Sequence, residues 1–149
     1  MTKSLFWVWL PVVLWTAIIA LESFFGSAAN TQSILEVVLT RIFGEIDPSL
    51  FAWIHFALRK GGHFIGYGIF AFLWFRAFAA TFPKSGSFVW AGLAVLFTAL
   101  VASLDEWHQS FSAARYGHFG DVVLDSCGAI LLVSVAMLMI RRPGPELDC

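Results

Sequence analysis

Charge is what this chain has least of. Its 149 residues include nine Lys and Arg and ten Asp and Glu, 13% charged against 59% apolar. Mean hydropathy is +0.80. A water-soluble domain exposes far more charge, so this balance points to a multi-span membrane protein. The formal net charge is −1. That gives no basic surface for a phosphate backbone, and no nucleic-acid partner is expected. Cysteine is nearly absent. Cys127 opens the last apolar run and Cys149 ends the chain beyond it, so no structural disulfide is expected. Cys127 reads as a small apolar residue of a helix. His-x-x-x-His is absent, and Glu106-Trp107-His108 lacks the preceding His of a zincin motif.

What is present is apolar runs of membrane length. Ser4 to Leu21 carries no charge, and its eighteen residues rise about 27 Å as a helix, close to the hydrocarbon thickness. Gly26-Ser27-Ala28-Ala29 offers small residues to a signal peptidase. The run is nevertheless long for a leader, carries three Trp and Pro11, and is followed by Glu22, so it reads as a retained span. Glu22 and Ser23 sit either at the headgroup boundary or toward a bundle interior. Asn30 to Lys60 differs: Ile34, Leu35, Val38, Ile42 and Phe43 fall near one helical face. Gly44 ends that helix, and Asp47-Pro48 starts the next as N-cap and first helical residue. Leu50 to Leu58 is apolar and holds Trp53 and His55, the latter read as an interfacial or packed histidine. Neither piece is long enough to span, so the two read as an amphipathic pair lying in the interface or folded back over the bundle.

The expected fold is therefore all-α: one domain over 1–149, with four transmembrane helices at about 4–22, 62–82, 85–104 and 122–140. The amphipathic segment lies between the first and second. Arg76 can snorkel from the end of the second span. Four spans place both termini on one side. That side carries Lys3, Arg76, Lys84, Arg141 and Arg142 in short segments, whereas Arg41, Arg59, Lys60 and Arg115 are spread through longer ones. Density of basic residues in short flanks marks the cytoplasm. A bacterial inner-membrane protein with both termini cytoplasmic is expected.

The remaining charge is concentrated. Asp105, Glu106, Asp121 and Asp125 lie between two membrane-length apolar runs, with His108 and His118. Charge in such a place is expensive and usually has a purpose. Three groups should meet at the outer membrane face. Lys60, His63 and Tyr67 share a helix face by steps of three and four. Asp105 and Gln109 are one turn apart, with Glu106 beside them. Asp121 and Asp125 are one turn apart, preceded by Arg115, with Gly128 nearby to allow close helix approach. Gly61-Gly62 and Gly117 to Gly120 offer freedom for tight turns. A structural network is one reading, because buried acids need partners and both signs are supplied. A binding pocket for a polar headgroup is another, and catalysis a third. His63, Asp105, Glu106, Asp121 and Asp125 are possible ligands of a divalent ion, but the basic residues nearby argue against one. No metal and no cofactor is expected.

Two family comparisons follow from these residues. Arg115, His118 and Asp121 resemble the Arg, His, Asp order of the membrane lipid phosphatases of the acid-phosphatase superfamily. The spacing is shorter and no Pro-Ser-Gly-His partner exists, so the nucleophile and the general acid are both missing. The second comparison covers nearly the whole chain. Lys60-x-x-His63-Phe64-x-x-Tyr67, then Asp105-Glu106-x-x-Gln109-x-Phe111, then Arg115, Asp121-x-x-x-Asp125 and Gly128 together resemble the VanZ-like family of small bacterial membrane proteins. Pro11 and Ser23 fit the same pattern. The family often has Asn where this chain has Asp125. The resemblance implies a membrane protein of the kind named for lowered susceptibility to teicoplanin, a lipid-tailed glycopeptide, and brings no settled reaction.

The expectation is a binding or accessory protein acting on an envelope lipid, a lipid-linked cell-wall precursor or a lipophilic glycopeptide. Its pocket would comprise Lys60, His63, Tyr67, Asp105, Glu106, Gln109, Arg115, Asp121 and Asp125, with Lys60 and Arg115 toward phosphate or carboxylate. The rival is an enzyme on a lipid headgroup, with His63 or Glu106 as acid or base and Arg115 stabilising negative charge. A structural, partner-binding subunit is the third reading.

Overall fold

The computed structural model describes residues 5–25, 28–111 and 118–140. Five helices fill them: α1 (Leu5–Phe25), α2 (Ala28–Phe43), α3 (Pro48–Thr81), α4 (Ser87–Ser110) and α5 (Phe119–Met139). No strand occurs among the described residues. α1, α3, α4 and α5 are long and apolar enough to cross a membrane. Helices are the solution the solvent dictates, since hydrocarbon offers no partner to an unpaired peptide group.

The helices extend beyond the expected spans at their polar ends. Gly61-Gly62 does not open the second span; α3 runs unbroken from Pro48. Each glycine costs a helix about 1 kcal/mol relative to alanine. A break there would cost more: it would forfeit the hydrogen bonds of a helical turn and part Lys60 from His63, both of which are held by α5. α3 is thus 34 residues long, a rise of about 51 Å against a hydrocarbon layer of about 30 Å. Its first third is the second half of the amphipathic pair, fused to a span. α4 continues past Leu104 to Ser110, and α5 begins at Phe119, so Asp105, Gln109 and Asp121 are all helical.

α2 ends as the sequence indicates. Gly44 adopts φ +78°, a left-handed conformation that favours glycine, and its N–H donates to Thr40 O at 3.0 Å. Asp47 then caps α3. Its Oδ1 accepts from the N–H groups of Ser49 (2.9 Å) and Leu50 (3.1 Å) and from the Ser49 hydroxyl. The Ser49 hydroxyl, with these two N–H groups, holds the Asp47 carboxyl below the usual carboxylate range. A depressed folded value means that the cap contributes fully above the unfolded value and is lost as pH falls through the folded one. Relative to intrinsic rates, amide exchange at Ser49 and Leu50 is expected to quicken below about pH 4. In Asp47→Ala it should be severalfold faster already at neutral pH. Unchanged protection of both amides in that variant would remove the cap from the account of α3.

α3 is the hub, packing against α5, α4, α1 and α2. The partners fix the directions. Tyr67 meets Asp105 and Phe75 meets Trp90, so α4 runs antiparallel to α3. Trp9 meets Thr81 and Trp15 meets Gly66, so α1 is antiparallel too. Lys60 meets Asp121 and His63 meets Asp125, so α5 runs parallel. One end of the bundle is aromatic: Trp74 lies 5.4 Å from Trp9, 5.2 Å from Phe78 and 4.9 Å from Phe97, ring centroid to centroid. The other end gathers the carboxylates. Parallel α3 and α5 approach closely at two glycines. A Cβ on Gly128 would overlap the Phe64 carbonyl oxygen, and one on Gly68 would lie 3.0 Å from Gly128 O.

Candidate functional site

Helical spacing puts Lys60, His63 and Tyr67 on one side of α3, and the neighbours divide them. Lys60 Nζ pairs with Asp121 Oδ1 in the first turn of α5. His63 Nδ1 lies 3.5 Å from Asp125 Oδ2, one turn deeper. Tyr67 turns to α4, where its hydroxyl donates to Asp105 Oδ2 at 2.9 Å. The His63 and Tyr67 rings stack with centroids 6.1 Å apart. Three helices are thus joined by polar contacts within two turns of α3.

Glu106 does something different. Its carboxylate is buried and accepts the His118 backbone N–H at 2.8 Å. It thereby satisfies a donor at the start of α5, where a carboxylate also suits the helix dipole. Glu106 tethers the end of α4 to the beginning of α5. At the same level the Ser23 hydroxyl and His108 Nδ1 lie 3.3 Å apart, linking α1 to α4.

Asp125 is the deepest acid. It is 0% exposed, and neither carboxyl oxygen has a hydrogen-bond partner among the described residues. Asp105 Oδ1 is likewise buried without one. Among the described residues no three His, Cys, Asp or Glu converge as a metal set.

Beside this network lies a cleft of about 250 Å³ between α1, α3 and α4. Trp15, Ile18, Ile19 and Leu58 form an apolar wall. Arg59, His63, Tyr67, Asp105 and Gln109 form a polar one, and Glu22 and Ser23 stand at the α1 end. Of the nine residues singled out in sequence, His63, Tyr67, Asp105 and Gln109 reach the cleft. Lys60, Glu106, Asp121 and Asp125 lie in the network behind it. Arg115 lies outside the described residues.

The family model described as VanZ/LLP1 matches residues 6–140. The chain belongs to the VanZ-like family. No curated protein matches it, and no solved structure does. In this VanZ-like protein the motif residues of α3, α4 and α5 are the ones that meet at the polar end of the bundle.

Sequence reasoning missed Arg59 and the α1 wall. A signal for the wall existed: Trp15, Ile18, Ile19 and Glu22 follow the i, i+3, i+4, i+7 spacing of one helix face. Arg59, Gly62, His63 and Gly66 follow the same spacing on α3. Trp15 closes the seam, its indole N–H donating to Gly66 O at 3.0 Å.

Proposed function

We propose that this VanZ-like protein binds the head of an amphiphile: an envelope lipid, a lipid-linked cell-wall precursor or a lipoglycopeptide of the teicoplanin kind. The cleft carries this reading, because it sets an apolar wall against a polar one within a single opening. An amphiphile has the same two-sided chemistry. At about 250 Å³ the cleft suits part of a headgroup, with the chains left among the lipids. Arg59 would meet phosphate or carboxylate, and Asp105 and Gln109 would take hydroxyl or amide groups. The basic-residue bias supports cytoplasmic termini, and in that orientation the polar end would face outward across the inner membrane.

The division of labour among the acids favours binding over catalysis. Glu106 is engaged by the His118 N–H, so of the described acid–base candidates only His63 borders the cleft.

The test uses the full chain in lipid nanodiscs, titrated with a polyprenyl-phosphate-linked sugar, an anionic phospholipid and a lipoglycopeptide. Arg59→Ala should weaken the bound ligand by about 10- to 100-fold, the worth of one charge-assisted hydrogen bond. Ile18→Trp, which fills the apolar wall, should weaken it too. Wild-type affinity for all three ligands in both variants would refute the pocket.

A further inference from the structure

Asp125 is not explained by headgroup binding. It lies behind the cleft, inside a helix long and apolar enough to cross a membrane, fully buried and with both oxygens lacking a hydrogen bond among the described residues. A carboxylate so placed is not stable as a lone anion. Among the described residues the other nearby charges are paired elsewhere or border the cleft. On α3, Lys60 pairs with Asp121 of α5, and Tyr67 donates to Asp105 of α4. Glu106 of α4 takes the His118 N–H. Arg59 of α3 and Glu22 of α1 border the cleft. Among the described residues His63 is the one titratable group paired with Asp125, and its Nδ1 has no hydrogen-bond partner among them. At 3.5 Å the pair is slightly longer than an ordinary hydrogen bond and closes with a small shift of the ring.

From this geometry we infer that His63 and Asp125 form a proton-binding site inside the bundle, loaded and emptied through the cleft that His63 borders. The imidazole is the go-between. With Nδ1 carrying a hydrogen, it accepts on Nε2 a proton delivered as hydronium through the cleft, which leaves as water, and passes the Nδ1 hydrogen to the Asp125 carboxylate. It ends neutral, protonated on Nε2, and the carboxyl ends neutral as well. One proton is gained and no other bond changes. The parallel approach at Gly128, one turn below Asp125, holds the two groups together. The site stands on the pair itself and does not require that an amphiphile fill the cleft.

Joint titration in nanodiscs tests it, following the Asp125 carboxyl by infrared spectroscopy with isotope-labelled aspartate and the His63 ring by nitrogen NMR. In the wild type the two signals should change together at one midpoint, because a shared proton belongs to the pair. Asp125→Asn keeps the shape, and should remove the carboxyl signal and move the His63 midpoint by about one pH unit or more. His63→Gln should leave Asp125 in its acid form throughout. A wild-type Asp125 signal constant from about pH 4 to 9 would overturn the proposal. So would a His63 titration identical in Asp125→Asn. The wild-type measurement decides alone if either variant fails to fold. Failure of lipid binding with these titrations intact would count against the headgroup pocket only.

Discussion

Gly128→Ala is expected to loosen the bundle by about 1–3 kcal/mol, the usual range for overpacking, and Gly128→Val by more. Gly128 is buried at the contact of α5 with α3. A Cβ there would overlap the Phe64 carbonyl oxygen, a backbone atom that cannot swing aside. The helices must part, and the displacement reaches His63–Asp125 one turn away and Lys60–Asp121 one turn further. Gly68→Ala should cost less. Its Cβ would lie 3.0 Å from both Gly128 O and Leu132 Cδ2, and the Leu132 side chain can move. Gly92→Ala supplies the control: nothing lies within 4 Å of its Cβ, and alanine gains up to about 1 kcal/mol in helix propensity. Unfolding of the purified proteins in mixed detergent micelles measures all four. A Gly128→Ala midpoint equal to wild type would show that the α3–α5 contact does not limit stability.

That contact was legible in the sequence as a glycine near two acids, and the spans were legible as uncharged runs. Both signals are local. Which neighbour a side chain meets is not. Lys60, His63 and Tyr67 share a face by arithmetic, yet α5 takes the first two and α4 takes the third. The face was wide enough to touch both helices. Asp105 and Glu106 are adjacent in sequence but about 100° apart around a helix, so Asp105 meets α3 while Glu106 meets the start of α5. Gly61-Gly62 carried a turn signal that holds in water. The backbone hydrogen bonds of a continuous α3, with Lys60 and His63 on either side held by α5, overrode it. The α1 wall was hard to see because nearly every residue of that helix is apolar, and a face is visible only against a contrasting one.

Lys60 separates a structural role from a ligand-binding one. Its spacing to His63 and Tyr67 made the sequence favour it over Arg59 as the phosphate contact. In the fold it is Arg59 that borders the cleft, while Lys60 is turned toward α5. Removing the amine strands Asp121, whose side chain is only 12% exposed. Breaking a fully buried pair costs about 3–5 kcal/mol. With the Lys60 side chain 29% exposed, water relieves part of that, and Lys60→Ala is expected to lose about 2–3 kcal/mol. Most of the loss is the unpaired carboxylate, so Asp121→Asn should restore the larger share when added to Lys60→Ala. A double-mutant cycle on the unfolding midpoint isolates the coupling. Ligand affinity supplies the contrast: Arg59→Ala should weaken binding with little change in stability, and Lys60→Ala should do the reverse. If Lys60→Ala abolishes binding at wild-type stability, Lys60 is a ligand contact and the Lys60–Asp121 bridge opens when the headgroup arrives.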